Sequence, residues 1–142
     1  MKVSDSVFSQ CLYFSTNALA RKTEKLAQES WGKVELTPSH AYLLLLVLDH
    51  PGIQPGVLSS QLQLKPSTIT RLITKLEEKD LLYRTTEGKI ANVFPTAKGK
   101  SLLPQLKACQ DEFYTRYLGM LGKDESDTFV SNILKVADKI RI

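Results

Sequence analysis

The stretch from Gln54 to Phe94 constrains this chain more than any other. Its first part, Gln54 to Leu62, predicts a short helix with Val57, Leu58 and Leu62 facing inward and Pro55 near its start. The link Gln63-Leu64-Lys65 is too short for anything but a tight turn. Pro66 then opens a second helix at the position where its missing N–H costs nothing. Ile69, Leu72, Ile73 and Leu76 recur at helical spacing and predict a buried stripe. The other face carries Ser67, Thr68, Thr70, Arg71, Thr74 and Lys75. Leu81–Thr85 and Ile90–Phe94 read as strands, with Glu87-Gly88 between them as the turn and glycine supplying a positive φ. Helix, tight link, helix and hairpin in that order describe a winged helix-turn-helix.

The flanks predict helices. Residues 6–30 carry Phe8, Cys11, Leu12, Ala18, Leu19 and Leu26 along one face, and Trp31-Gly32 closes the run. Thr37 can cap a second helix with Pro38 in its first turn. The run Tyr42 to Leu48 is apolar nearly all round, which marks a helix buried on most sides, and Pro51-Gly52 ends it. Thr96 caps one further long helix bearing Leu102, Leu106, Cys109, Phe113, Tyr117 and Met120. Gly122 breaks it, and Asp124 can cap a last helix with Phe129, Ile133, Val136 and Ile140 on one face. The fold class is therefore all-α with a small β-hairpin wing. A single domain of 142 residues accommodates all of it.

Charge narrows the function. The net charge is +4, and all of the excess lies in residues 51–100. There Lys65, Arg71, Lys75, Lys79, Arg84, Lys89, Lys98 and Lys100 face only Glu77, Glu78, Asp80 and Glu87, whereas residues 1–50 and 101–142 each balance. A local positive field suits a polyanion. The longest dense apolar stretch, Ala41–Leu48, is far below the ~18 residues of a membrane span, and no secretory signal is visible. Cys11 and Cys109 are too few for a disulfide framework, so the expectation is a reducing, cytoplasmic setting and no membrane partner.

A helix fits the major groove of DNA, and its N-terminal half meets base edges and phosphates. Ser67, Thr68, Thr70 and Arg71 supply short hydroxyls and one forked cation in that half. Lys65, Lys75, Arg84 and Lys89 are the candidates for backbone contacts. Plain helix capping by Ser67 and Thr68 and intrahelical pairing of Arg71 and Lys75 with Glu77 or Glu78 are the competing structural explanations. No phosphate-binding glycine loop, nucleophile elbow or paired-histidine motif is present, so catalysis is not expected. His40 and His50 lack companions at ligand spacing, and neither a metal nor any other cofactor is expected.

Leu62 to Arg84, LQLKPSTITRLITKLEEKDLLYR, resembles the core signature of the multiple antibiotic resistance regulator (MarR) family. Thr96-Ala97-Lys98-Gly99 resembles the Thr-x-x-Gly opening of the family's next helix, and Thr37–Tyr42 also fits. The resemblance implies a homodimeric cytoplasmic regulator, usually a repressor, on a pseudo-palindromic operator in double-stranded DNA. It implies dimerisation helices at 1–35 and 101–142 around a winged helix-turn-helix at 36–100, with a small aromatic effector releasing DNA. Four departures stand out. Asp80 replaces the usual glycine, Lys65 replaces the usual acidic cap, the wing is about three residues shorter, and Thr86-Glu87-Gly88-Lys89 stands where Asp-Arg-Arg is usual. Binding that leans less on the wing is the expectation.

Two further readings concern the first half of the chain. An aromatic effector pocket can draw on Phe14, Trp31, His40, Tyr42 and Phe113, residues that equally serve as core filler. The segment Gln10 to Thr16, QCLYFST, resembles the peroxide-sensing branch of the family, which makes Cys11 a candidate redox thiol; its place on the apolar stripe fits a buried hydrophobe instead. The alternatives to a small-molecule-released regulator are thus a thiol-based redox-sensing regulator using Cys11 and a winged-helix protein-interaction module that does not touch DNA.

Overall fold

The computed structural model describes all 142 residues. Seven helices and one hairpin follow in the order α1 (Leu12–Trp31), α2 (Pro38–Asp49), α3 (Pro55–Leu62), α4 (Pro66–Glu78), β1 (Leu82–Glu87), β2 (Ile90–Pro95), α5 (Ala97–Ser101), α6 (Leu103–Leu121) and α7 (Lys123–Lys139). The all-helical architecture with a β-hairpin wing is the one the sequence predicts.

Helix α2 is the hub. Leu43, Leu44 and Val47 are fully buried, and the helix packs against α1, α3, α4, α6 and β2. Its apolar circumference is thus covered on nearly every side, while Leu45, Leu46 and Leu48 stay half-buried. Thr37 caps it as expected, its hydroxyl accepting from the His40 backbone N–H. Trp31, at the end of α1, is wholly buried and meets the Tyr42 ring edge-on at 5.5 Å. Helix α4 lays Ile69, Leu72, Ile73 and Leu76 into the same core, as its spacing predicts. Burial of each such side chain contributes roughly 1.5–3 kcal/mol.

The hairpin pairs Leu82 with Pro95 through Glu87 with Ile90. That register leaves Gly88-Lys89 as the two-residue turn, one position later than the sequence reading placed it, and Gly88 carries the positive φ of 63°. Asp80 adopts φ 58°, so the aspartate tolerates the left-handed conformation that glycine usually fills. Ile53 adds a bridge to Val93 that the sequence did not signal.

Several expectations are corrected. The first helix starts at Leu12, not near residue 6. Serine side chains compete for the backbone there: Ser6 Oγ accepts from the Phe8 N–H at 3.1 Å, and Ser15 Oγ donates to the Ser9 carbonyl at 2.8 Å. Gly32 is right-handed, and the left-handed residue after the short 3-10 turn Gly32–Val34 is Glu35. Val57 lies outward at 46% exposure, since α3 buries only a narrow edge through Leu58. Thr96 caps the five-residue α5, not one long helix. Pro104 has no N–H for the Lys100 carbonyl, so the chain breaks at Leu102 and restarts. Asp124 sits in the first turn of α7, whose cap position is Gly122. Phe129, Ile133, Val136 and Ile140 of α7 are exposed, as are Phe8 and Met120, and this overturns no expectation: the terminal helices carry apolar faces that this chain alone leaves uncovered.

Gly99 has a packing reason that no propensity argument gives: a Cβ there would collide with the Leu81 backbone carbonyl. Gly56, in contrast, has open space. Gly99→Ala is expected to lose about 1–3 kcal/mol of stability and Gly56→Ala to gain about 0.5 kcal/mol in urea unfolding.

Candidate nucleic-acid interface

Because one face of α4 is sealed into the core, its opposite face is turned outward. Ser67, Thr70, Arg71 and Lys75 are exposed and Thr68 is half-exposed. Lys65 is exposed at the cap position, where its side chain makes no capping bond. The first turn therefore leaves backbone N–H groups without a side-chain partner and adds a cation beside them, which favours an anion.

The cations differ in their freedom. Arg71 makes no ion pair. Lys75 reaches Glu78 at 3.8 Å, a long exposed contact that holds it weakly. Thr70 Oγ1 donates to the Pro66 carbonyl at 3.1 Å, and Thr74 Oγ1 to that of Thr70 at 2.9 Å. Both hydroxyls keep their lone pairs outward as acceptors while their protons are engaged. Lys89 is exposed in the hairpin turn. Arg84 is different: its Nη2 donates to Glu77 Oε1 at 2.7 Å, and both side chains are about two-thirds covered. The sequence reading gave a pairing with Glu77 or Glu78 only to Arg71 and Lys75, because the register that turns Arg84 toward α4 is a tertiary property.

The five aromatic-pocket candidates do not converge. Phe14 lies 17 residues before Trp31 on the same helix, or about 25 Å along its axis, and packs on Phe8. His40 sits at the start of α2 toward Lys75 and Lys79 of α4. Phe113 meets the Tyr117 ring at 5.2 Å. Trp31 is sealed beneath Tyr42. Tyr42 lines an open groove of about 410 Å³ between α2, α3 and α6. Leu45, Leu46, Leu48, Leu62 and Leu103 form its apolar part, and Lys107 and Asp49 give it one charge of each sign. Residues two apart on a helix point about 200° away from each other, which is why His40 and Tyr42 cannot share a pocket.

Cys11 is exposed at the cap position of α1 rather than buried on a stripe, because the helix begins one residue after it. Cys109 is buried, and burial and then Glu112 push its thiol up. Among all residues, no three His, Cys, Asp or Glu side chains group as metal ligands. No helix is long and apolar enough to cross a membrane.

The sequence model of the MarR family matches residues 35–89. The HTH-type transcriptional repressor MdtR of Bacillus subtilis (strain 168) is 27% identical over 128 residues, covering 88% of this chain and 82% of MdtR. The transcriptional repressor CouR, solved bound to p-coumaroyl-CoA, superposes with a TM-score of 0.85 at 21% identity, covering 98% of this chain and all of that one. The MepR–DNA complex of S. aureus gives a TM-score of 0.79 at 19% identity over 91% of this chain and 98% of that one. A winged helix-turn-helix with its second helix presented outward is thus a MarR-type arrangement by fold and by sequence. Residues 35–89 thus match the family's sequence model, and the fold over nearly the whole chain is that of solved MarR-type regulators.

His40 gives a pH signature of this region. Burial, then Lys79 and Lys75, hold its imidazole below the usual 6.5. The unfolded chain therefore takes up the proton first as pH falls, and stability is lost below about pH 6.5. Wild type should lose more stability than His40→Gln between pH 7.5 and pH 5, read by urea unfolding.

Proposed function

We propose that this protein is a homodimeric, cytoplasmic repressor that binds a pseudo-palindromic operator in double-stranded DNA through α4. The observation that carries the reading is the exposed hydroxyl-and-guanidinium face of α4, with Arg71 free, directly opposite a fully buried stripe. Arg71 forks onto a guanine edge or a phosphate, and Ser67, Thr68 and Thr70 make the short-range contacts. Lys65, Lys75 and Lys89 neutralise backbone phosphates. MepR has been solved on DNA and MdtR is a repressor, which supports both parts of the reading.

The flanking segments 1–35 and 101–142 form the dimer in this reading. Phe129, Val130, Ile133, Leu134, Val136 and Ile140 are each at least 42% exposed along α7, and Val7, Phe8 and Leu12 are exposed at the other end of the chain. A two-fold partner covers these faces and sets two copies of α4 about 34 Å apart, one turn of DNA. The effector is an amphipathic molecule with an aromatic or other apolar body. The groove between α2, α3 and α6 offers leucines for that body and Lys107 for an acidic group. Its position against both α3 of the helix-turn-helix and α6 of the dimerisation segment lets occupancy change the spacing of the two α4 helices. CouR, solved with an acyl-CoA bound, supports a ligand-responsive role.

Two tests follow. Arg71→Ala should abolish sequence-specific binding in an anisotropy titration while leaving the melting curve unchanged; undiminished specific affinity overturns the DNA reading. Wild-type affinity should fall with log salt at a slope of about 0.9 per phosphate neutralised. Phe129→Asp with Ile133→Asp should shift the protein to its 15.9 kDa monomer mass in light scattering. A wild type already monomeric at micromolar concentration contradicts the dimer.

A further inference from the structure

The Arg84–Glu77 pair is the only ion pair that joins α4 to the hairpin. Its setting is defined by register. Arg84 is paired with Val93 and Leu82 with Pro95, so these four side chains share one face of the hairpin. Val93 is fully buried and Leu82 nearly so, and that face is therefore the one turned toward the helices. Tyr83 and Phe94 stack at 5.6 Å on the other face. Arg84 thus extends from the hairpin back onto the last turn of α4, not outward as the strand position alone suggests.

The pair spans the corner at residues 79–81, where Asp80 is left-handed. Two other bonds tie the same corner to the far end of the hairpin: Thr96 Oγ1 donates to the Asp80 carbonyl at 2.6 Å, and Lys98 Nζ to the Lys79 carbonyl at 3.1 Å. Neither of them touches the hairpin beyond its base. Ile53 also bridges to Val93, across from Arg84, through backbone bonds, and Glu77–Arg84 adds the ion pair that ties α4 to the arm at the same level. The lever is long. From Arg84 to Lys89 is five residues, about 16 Å of strand, so a hinge of about 10° at the base moves the tip by about 3 Å. That distance separates a phosphate contact from none. Lys89 is the only cation in the hairpin besides Arg84, and Glu87 beside it opposes a polyanion. A wing with one lysine at its tip has no second cation to compensate for a wrong angle.

We infer that Glu77 and Arg84 are a positioning pair: the carboxylate on α4 fixes the angle of the wing so that Lys89 reaches a DNA phosphate while α4 lies in the groove. This rests on the DNA-binding reading above and adds a residue, Glu77, whose negative charge favours DNA binding although it repels phosphate directly. Arg84 acts through Lys89 rather than on DNA.

The test uses a duplex selected from a randomised pool by the wild-type protein. Glu77→Ala and Arg84→Ala should each weaken binding severalfold, no more than Lys89→Ala does, and the double variant should be no weaker than either single one. Lys89→Ala should weaken wild type severalfold and should have no further effect in the Glu77→Ala background. The exchanged pair, Glu77→Arg with Arg84→Glu, should recover the Lys89 dependence; a pair that only stabilised the fold would recover the melting temperature and not that dependence. Glu77→Ala binding as tightly as wild type, or more tightly, overturns the inference and makes the pair a simple competition for Arg84. A Lys89 effect that persists unchanged in the Glu77→Ala background overturns it as well. A wild type that selects no duplex fails at the earlier step, and Arg71 dependence of the selected complex shows that step intact.

Discussion

The burial of Ile69, Leu72, Ile73 and Leu76 against α2 is the constraint on which the rest depends. It fixes the rotation of α4 about its own axis. A helix with apolar residues confined to one stripe has no second stable rotation, since turning it exposes the leucines and isoleucines and buries Arg71 and Lys75 unpaired. The outward display of Ser67, Thr68, Thr70 and Arg71 is therefore a consequence of core packing. Presentation of the interface and stability of the domain rest on the same four side chains.

Electrostatics then selects among what packing exposes. The middle of the chain holds the whole positive excess, yet its cations are not equivalent. Arg71 is free, Lys75 is loosely paired, and Arg84 is engaged through a 2.7 Å contact with Glu77. A count of positive charges overstates what meets a polyanion, because Arg84 is oriented inward by strand register. The acidic pair Glu77-Glu78 at the end of α4 organises its neighbours, and burial, then Lys79 and Lys75, holds the His40 imidazole below its usual value.

Local signals were legible in the sequence and tertiary ones were not. Pro38, Pro66 and Gly122 act through their own backbone geometry and Thr37 and Thr96 through a side-chain cap three residues away, and each marks an element boundary where expected. The α4 stripe follows from a strong 3-and-4 periodicity. The break at Leu102 was carried by Pro104, a signal outweighed by the apolar spacing across it. Cys11 was placed on a stripe because the serines that unwind residues 6–10 do so through side-chain bonds that periodicity does not register. The aromatic candidates share only a residue type, and type says nothing about which side of α1 or α2 each occupies. The partner of Arg84 depends on how the hairpin lies against α4.

The α4 face and the uncovered apolar faces of the terminal segments belong to one account, in which a two-fold pair presents two recognition helices to one side of DNA. The most direct measurement is site-specific photo-crosslinking to the selected duplex, with the crosslinker placed in turn at Ser67, at Thr68 and at Ser101 on α5. The account predicts efficient DNA adducts from Ser67 and Thr68 and none from Ser101. Adducts absent at Ser67 and Thr68 in a complex that still forms would contradict it.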